Sequence, residues 1–213
     1  MSTENLQQHS SDEIYLTVTP AGCYYAVENC EPTIARELLN TILREKTSPA
    51  LSEFAERDQD SIREIHKTGF VIFEPQQSSL PEGNLTRLLP KVLPALSERK
   101  SVVLTESRQG LFIDYTGVSQ DEAEELAVMA AGFRALAEKR NSLLAGKLSI
   151  GSRAFGILDP AGNSEIGFWP LHVSGNVFTL IVLGIPRFNT AHFSTLVWAL
   201  MERYGAEEES SQQ

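Results

Sequence analysis

Cysteine is scarce in this sequence: Cys23 and Cys30 are the whole complement. Their spacing fits no zinc pattern, and two thiols cannot complete a tetrahedral site without histidines close by. They read as reduced thiols. Histidine is scarce too. His9, His66, His172 and His192 are the four present, and none falls in an HExxH or related metal spacing. No stretch approaches the ~18 consecutive apolar residues that a membrane span needs. Positive charge is in deficit, with 18 Lys and Arg against 28 Asp and Glu and a net charge of −10. Nucleic-acid binders neutralise phosphates with clustered basic residues. No such cluster is visible, so nucleic acid is not an expected partner, and anionic membranes are disfavoured for the same reason. There is no GxxxxGK[ST] phosphate loop, no GxGxxG after a strand and no GxSxG elbow. The expectation is a chain that is not an enzyme, holds no cofactor or metal and does not insert into a membrane.

What the sequence does contain is patterning. Residues 1–12 are polar, with neither the basic nor the apolar region of a secretory signal; they read as a disordered tail, and the expected location is the cytoplasm. Residues 13–28 read as a β-hairpin, with Ile14, Leu16 and Val18 alternating with polar neighbours, a turn at Pro20-Ala21-Gly22 and a returning apolar run from Cys23 to Val27. Three helical patterns follow. The first opens near Pro32 and aligns Ile34, Leu38, Leu39, Ile42 and Leu43 on one face. The second holds Leu51, Phe54 and Ala55. The third carries Ile62, Ile65 and His66 and stops at Gly69, which fits a C-terminal cap. A strand at 70–73 completes a small winged-helix-like module over residues 13–75. Residues 31–70 hold six Lys or Arg and eight Asp or Glu. That balance points to protein contacts and away from DNA. Residues 76–84, in the polar stretch EPQQSSLPEGN, read as a linker.

The second half, residues 85–204, is more regular. A short helix over 85–96 contains Pro90 and Pro94, which make it irregular. Residues 101–115 form a hairpin turning at 106–110. Ser119 and Glu122 form a capping box that opens a long helix to about 144. Strands are expected at 147–157 (interrupted by Gly151), 166–173 and 177–184, with turns at 159–163 and 174–176. A final helix covers about 190–204, with Phe193, Leu196, Val197, Leu200 and Met201 on its apolar face, and an acidic disordered tail takes 205–213. Consecutive strands with short turns give a five-stranded antiparallel sheet flanked by helices, an α+β domain.

Residues 102–140, VVLTESRQGLFIDYTGVSQDEAEELAVMAAGFRALAEKR, resemble the roadblock family of dynein light chains and their bacterial relatives. Both have a strand, a polar turn with glycine, a second strand and then an acidic-started, alanine-rich helix. The resemblance extends over about 85–204. It departs from the family in the two prolines of the first helix and in the roughly 80 residues that precede the domain. By its own spacing, the alanine row Ala123, Ala127, Ala131 and Ala135 can pack on the chain's own sheet or admit a second copy. The resemblance implies the second copy, because roadblock domains pair through this helix and the adjoining strand. The implied homodimer contacts are Ala127, Ala130, Ala131 and Arg134 on the helix and Ser149, Ile150, Gly151, Ser152, Arg153 and Phe155 on the strand.

The resemblance also implies a function: a non-enzymatic adaptor or scaffold that regulates or docks a small Ras-like GTPase, or a motor or motility assembly that contains one. Arg108 in the hairpin turn has the position of an arginine finger, but it also reads as a solubilising turn residue, and roadblock regulators are understood to reshape their partner without donating a catalytic group. Two alternatives stand beside this one. A profilin-like small-molecule sensor would line a pocket between sheet and helix with Phe112, Phe133, Phe155 and Trp169. A winged-helix transcriptional regulator would need a basic stripe that the sequence lacks.

Overall fold

The structure is a computed structural model and describes residues 13–79, 83–106, 110–151 and 153–210. The expected N-terminal tail therefore lies outside the described residues. β1 (Tyr15–Val18) leads straight into α1 (Pro20–Val27). The small N-terminal sheet is present, but its second strand is β2 (Val71–Glu74), paired antiparallel with β1 from Tyr15 opposite Glu74 to Val18 opposite Val71. Residues 23–27, expected as the returning strand, are helical. The Thr19 hydroxyl accepts from Gly22 N–H at 3.1 Å and Pro20 occupies the first turn, so the apparent turn chemistry is a helix start. Cys23, Ala26 and Val27 are buried, and a short helix buried this fully shows no periodicity to tell it from a strand.

Between β1 and β2 the chain also forms α2 (Ile34–Arg44), capped by Thr33, a 3-10 turn at Leu51–Glu53, and α3 (Glu56–Lys67). Gly69 takes φ +80°, the left-handed conformation that ends a helix at low cost only in glycine.

The second half contains α4 (Leu85–Val92) with Pro90 inside it, a 3-10 turn at Leu93–Leu96, β3 (Ser101–Glu106), β4 (Leu111–Thr116) and α5 (Gln120–Lys139). A π-helical turn at Ser142–Lys147 follows, then β5 (Phe155–Leu158), β6 (Ser164–Val173), β7 (Asn176–Leu183) and α6 (Ala191–Ser210). The strand expected from 147 begins only at Phe155. The last helix runs to Ser210, beyond the expected end near 204. The five strands form one antiparallel sheet in the order β4-β3-β7-β6-β5.

The sheet is covered on both faces. Val103, Phe168 and Ile181 meet Ala123 and Ala130 of α5 on one side. Val102, Leu104, Leu171, Phe178, Leu180 and Val182 meet α4 and α6 on the other. The apolar layer beyond α6 is continuous with Leu16, Cys23, Leu39 and Ile42, so the N-terminal elements rest on α6 and share its core. Burial pushes the Cys23 thiol up to about 12, far from a reactive thiolate.

The capping box of α5 forms as the sequence predicts. Ser119 N–H donates to Glu122 Oε2 at 2.7 Å, and Glu122 N–H donates to Ser119 Oγ at 3.3 Å. The Ser119 N–H, with the Ser119 hydroxyl that also donates to Oε2 at 2.9 Å, holds the Glu122 carboxyl below its ordinary value of 4.5. A carboxyl depressed in the folded state contributes stability above its unfolded value and loses it as pH falls through the folded value. Glu122→Gln is expected to lower Tm at neutral pH. The two melting temperatures should then converge as pH falls from 4.5 through the folded value, read by circular-dichroism melts across the acid range.

Candidate functional site

The surface that sequence reasoning assigns to pairing is built from α5, the segment after it and β5. Ala127 and Ala130 do not face outward: both are buried in the contact with the chain's own sheet, along with Ala123 and Ala137. Ala131 is half-buried, its Cβ 3.8 Å from where a Cβ on Gly110 would lie. The outward face is the neighbouring stripe. Val128 is 68% exposed and Leu136 50%, with Met129, Gly132 and Ala135 between them. Leu143, Leu148 and Ile150 after the helix and Ile157 and Leu158 of β5 are exposed as well.

β5 is the last strand of the sheet and pairs only with β6. Of the expected strand residues, Phe155 alone lies in a strand. Ser149 (φ +55°), Ile150 and Gly151 precede it as exposed loop, and Ser152 lies outside the described residues. Arg153 is half-buried and has no hydrogen bond or ion pair to a described residue.

The four aromatics expected to line a pocket do not meet. Phe133 and Phe155 stack at 5.6 Å, with Phe168 edge-on to Phe133 at 4.9 Å. Phe112 pairs with Tyr115 at 5.0 Å. Trp169 faces the opposite side of the sheet, edge-on to Phe188 at 5.1 Å. In a strand successive side chains alternate faces, so Trp169, next to Phe168, is on the wrong side for that pocket.

The histidines divide by environment. His66 Nδ1 lies 2.8 Å from the Val71 carbonyl oxygen, and its ring stacks on Phe73 at 4.1 Å, a packing role. His192 is exposed in the first turn of α6. His9 and the turn arginine Arg108 lie outside the described residues. His172, near the end of β6, is half-buried on the α5 side of the sheet, and its Nε2 is buried with no partner. Burial holds its pKa down, reinforced by the charges of Arg153 and Arg134. Arg134 Nε donates to Glu138 Oε1 at 3.0 Å, while its Nη1 is buried without a partner.

This grouping escaped the sequence analysis because its members come from separate elements, yet one signal was present. Arg134 follows Ala130 by four residues on the buried stripe, and a charged side chain there needs a partner. Among the described residues no group of three His, Cys, Asp or Glu could hold a metal, and no helix is long and apolar enough to cross a membrane.

No family model and no curated protein matches the chain. Solved structures similar to it include two bacterial ones. A roadblock/LC7 domain from Streptomyces avermitilis is 17% identical over 60% of this chain and 99% of that one, with a TM-score of 0.36. MglB of Myxococcus xanthus is 17% identical over 62% of this chain and 96% of that one, with a TM-score of 0.34. At that identity no residue's role is carried across.

The facing of β6 is testable at Gly167, where a Cβ would lie 2.1 Å from the Trp169 ring. Gly167→Ala is expected to displace the indole and cost about 1–3 kcal/mol, the range for overpacking. Urea unfolding should show the loss, together with a shifted tryptophan emission maximum.

Proposed function

We propose that this chain is a non-enzymatic, homodimeric adaptor of the cytoplasm that binds a small Ras-like GTPase or an assembly containing one. The observation that carries the dimer is the exposure of large apolar side chains on α5, on the segment after it and on β5: Val128, Leu136, Leu148, Ile157 and Leu158. The occupant that fits them is a second copy. β5 reads FGIL, with no lysine, proline or charge guarding its open edge, and natural edge strands are normally protected by such devices. A twofold axis beside β5 would pair β5 with β5 and bring α5 against α5, each antiparallel. The same patch then serves both subunits, which is the self-complementarity that a twofold interface requires.

The GTPase part of this reading is supported by the resemblance of residues 102–140 to roadblock domains. The mechanism is binding alone: a two-subunit platform with higher affinity for one switch conformation of its partner shifts the partner toward that conformation. The winged-helix-like elements of residues 13–75 add a second contact surface.

Val128 is largely solvated, so a charge there leaves the folded subunit intact. Light scattering is expected to give a dimer for the wild type and a monomer for Val128→Glu, with unchanged circular dichroism. A wild type that stays monomeric through the micromolar range would sink the platform. For the partner, the tagged chain is expected to retain a protein carrying bound GDP or GTP, measured by nucleotide chromatography of the eluate. Eluates without guanine nucleotide count against the GTPase.

A further inference from the structure

At the end of the sheet where β6 turns into β7, three separate parts of the chain enclose a cleft of about 460 Å³. α2 contributes Arg36 and Asn40, the last turns of α5 contribute Glu138, and the strand side contributes Arg153 and His172. The cleft continues beneath α5. Glu138, Arg153, His172 and Val177 line both it and a narrower gap of about 40 Å³, whose other walls include Arg134, Phe133, Phe155 and Phe168. That gap admits only a few non-hydrogen atoms.

Three polar atoms here are buried without a partner: Asn40 Oδ1, Arg134 Nη1 and His172 Nε2. Buried polar groups are nearly always paired, because leaving one bare costs about 1–3 kcal/mol, so Asn40 on the cleft, Arg134 on the gap and His172 on both point to something that fills them. The donors dominate. Glu138 engages the Nε edge of Arg134, which fixes the guanidinium plane and leaves Nη1 facing inward. Arg36 is already committed to the Tyr25 and Glu31 carbonyl oxygens, with Glu28 at 3.7 Å. Arg153 has no ion pair or hydrogen bond among the described residues. Glu37 is the remaining acid in the wall. In a chain of net charge −10, two guanidinium groups therefore converge on a histidine that their own field helps keep neutral.

We infer that this cleft binds a small oxyanion. A phosphate or carboxylate head would accept from Arg134 Nη1, Arg153 and His172 Nε2–H, and a short apolar end would enter the gap against Phe133 and Phe155. Planar guanidinium forks suit both kinds of head. Neutral imidazole donates from one ring nitrogen, so His172 contributes a hydrogen bond without a charge of its own. Asn40 joins the head once its amide is turned to present Nδ2. The site depends on α2 for one wall, which gives the elements before residue 85 a role in completing a pocket on the sheet. Phe155 of β5 lines the gap, but Val128, whose substitution tests the dimer, lines neither space, so pairing and ligand binding are read by different variants.

The full-length chain is titrated calorimetrically, at fixed ionic strength, with ethyl phosphate, propionate, inorganic phosphate and 1-propanol. Ethyl phosphate or propionate is expected to bind, the stronger of the two identifying the head; inorganic phosphate binds more weakly and 1-propanol does not bind. Arg153→Gln and Arg134→Gln should each weaken binding about tenfold or more, the loss of one charge-assisted hydrogen bond. Arg87→Gln, on the exposed face of α4, should leave it unchanged. Arg153 makes no hydrogen bond or ion pair among the described residues, so its variant reports binding even where Arg134→Gln fails to fold. No binding of either organic oxyanion at millimolar concentration would overturn the inference, as would equal binding by Arg153→Gln or binding of 1-propanol as tight as that of ethyl phosphate.

Discussion

Burial of β7 on both faces governs the rest of the structure. From Phe178 to Val182 every residue of this central strand is buried, including Thr179. Antiparallel sheets often leave one face to water; this one cannot. Phe178, Leu180 and Val182 require a cover on one side, and Ile181, with Val103 and Phe168 on its neighbours, requires one on the other. α6 meets the first demand and is itself covered by the N-terminal elements. That accounts for a helix in which Leu196, Val197, Trp198, Ala199, Leu200 and Met201 are all buried: a helix between two layers has no polar face to show.

The second face is covered more thinly. α5 approaches through Ala123, Ala127 and Ala130, whose small side chains let the backbone lie close to the sheet. Further along, Phe133 stands between the helix and Phe168, and past that ring the inward positions are Arg134 and Ala137. A single helix layer leaves its outer stripe solvated, and α5 has apolar residues there. Both the exposed apolar residues and the gap beneath α5 therefore arise from one cause: among the described residues, one alanine-rich helix layer covers this side of the sheet.

Features set by residues within four positions of one another were legible in the sequence. The Ser119–Glu122 box, the Gly69 stop and the apolar face of α2 all depend on such spacing, and the β3–β4 hairpin follows from two neighbouring apolar runs. Features that depend on distant parts were not. β1 chose β2 as its partner across more than fifty residues, and residues 20–27 gave no period from which helix could be told from strand. The alanine row announced close packing but not which surface it packed against, and that decided the places of Ala127 and Ala130. The Arg134, Arg153 and His172 grouping depends on a loop, a strand end and a helix end meeting, which no linear spacing encodes.

The geometry of α5 shows how one helix serves three surfaces without conflict. At about 100° per residue, Ala123, Ala130 and Ala137 fall on one line, facing the sheet. Val128, Gly132 and Ala135 fall on the opposite line, facing out. Arg134 lies within the inward sector, beside the alanines and not beside Val128. An arginine chosen for solubility would occupy the outward line, where water solvates it freely. This one is placed where desolvation penalises it, is held by Glu138 on one edge and is left bare on the other. A cost of that kind, set into the helix that covers the sheet, is more readily understood as the lining of a site than as a failure of packing.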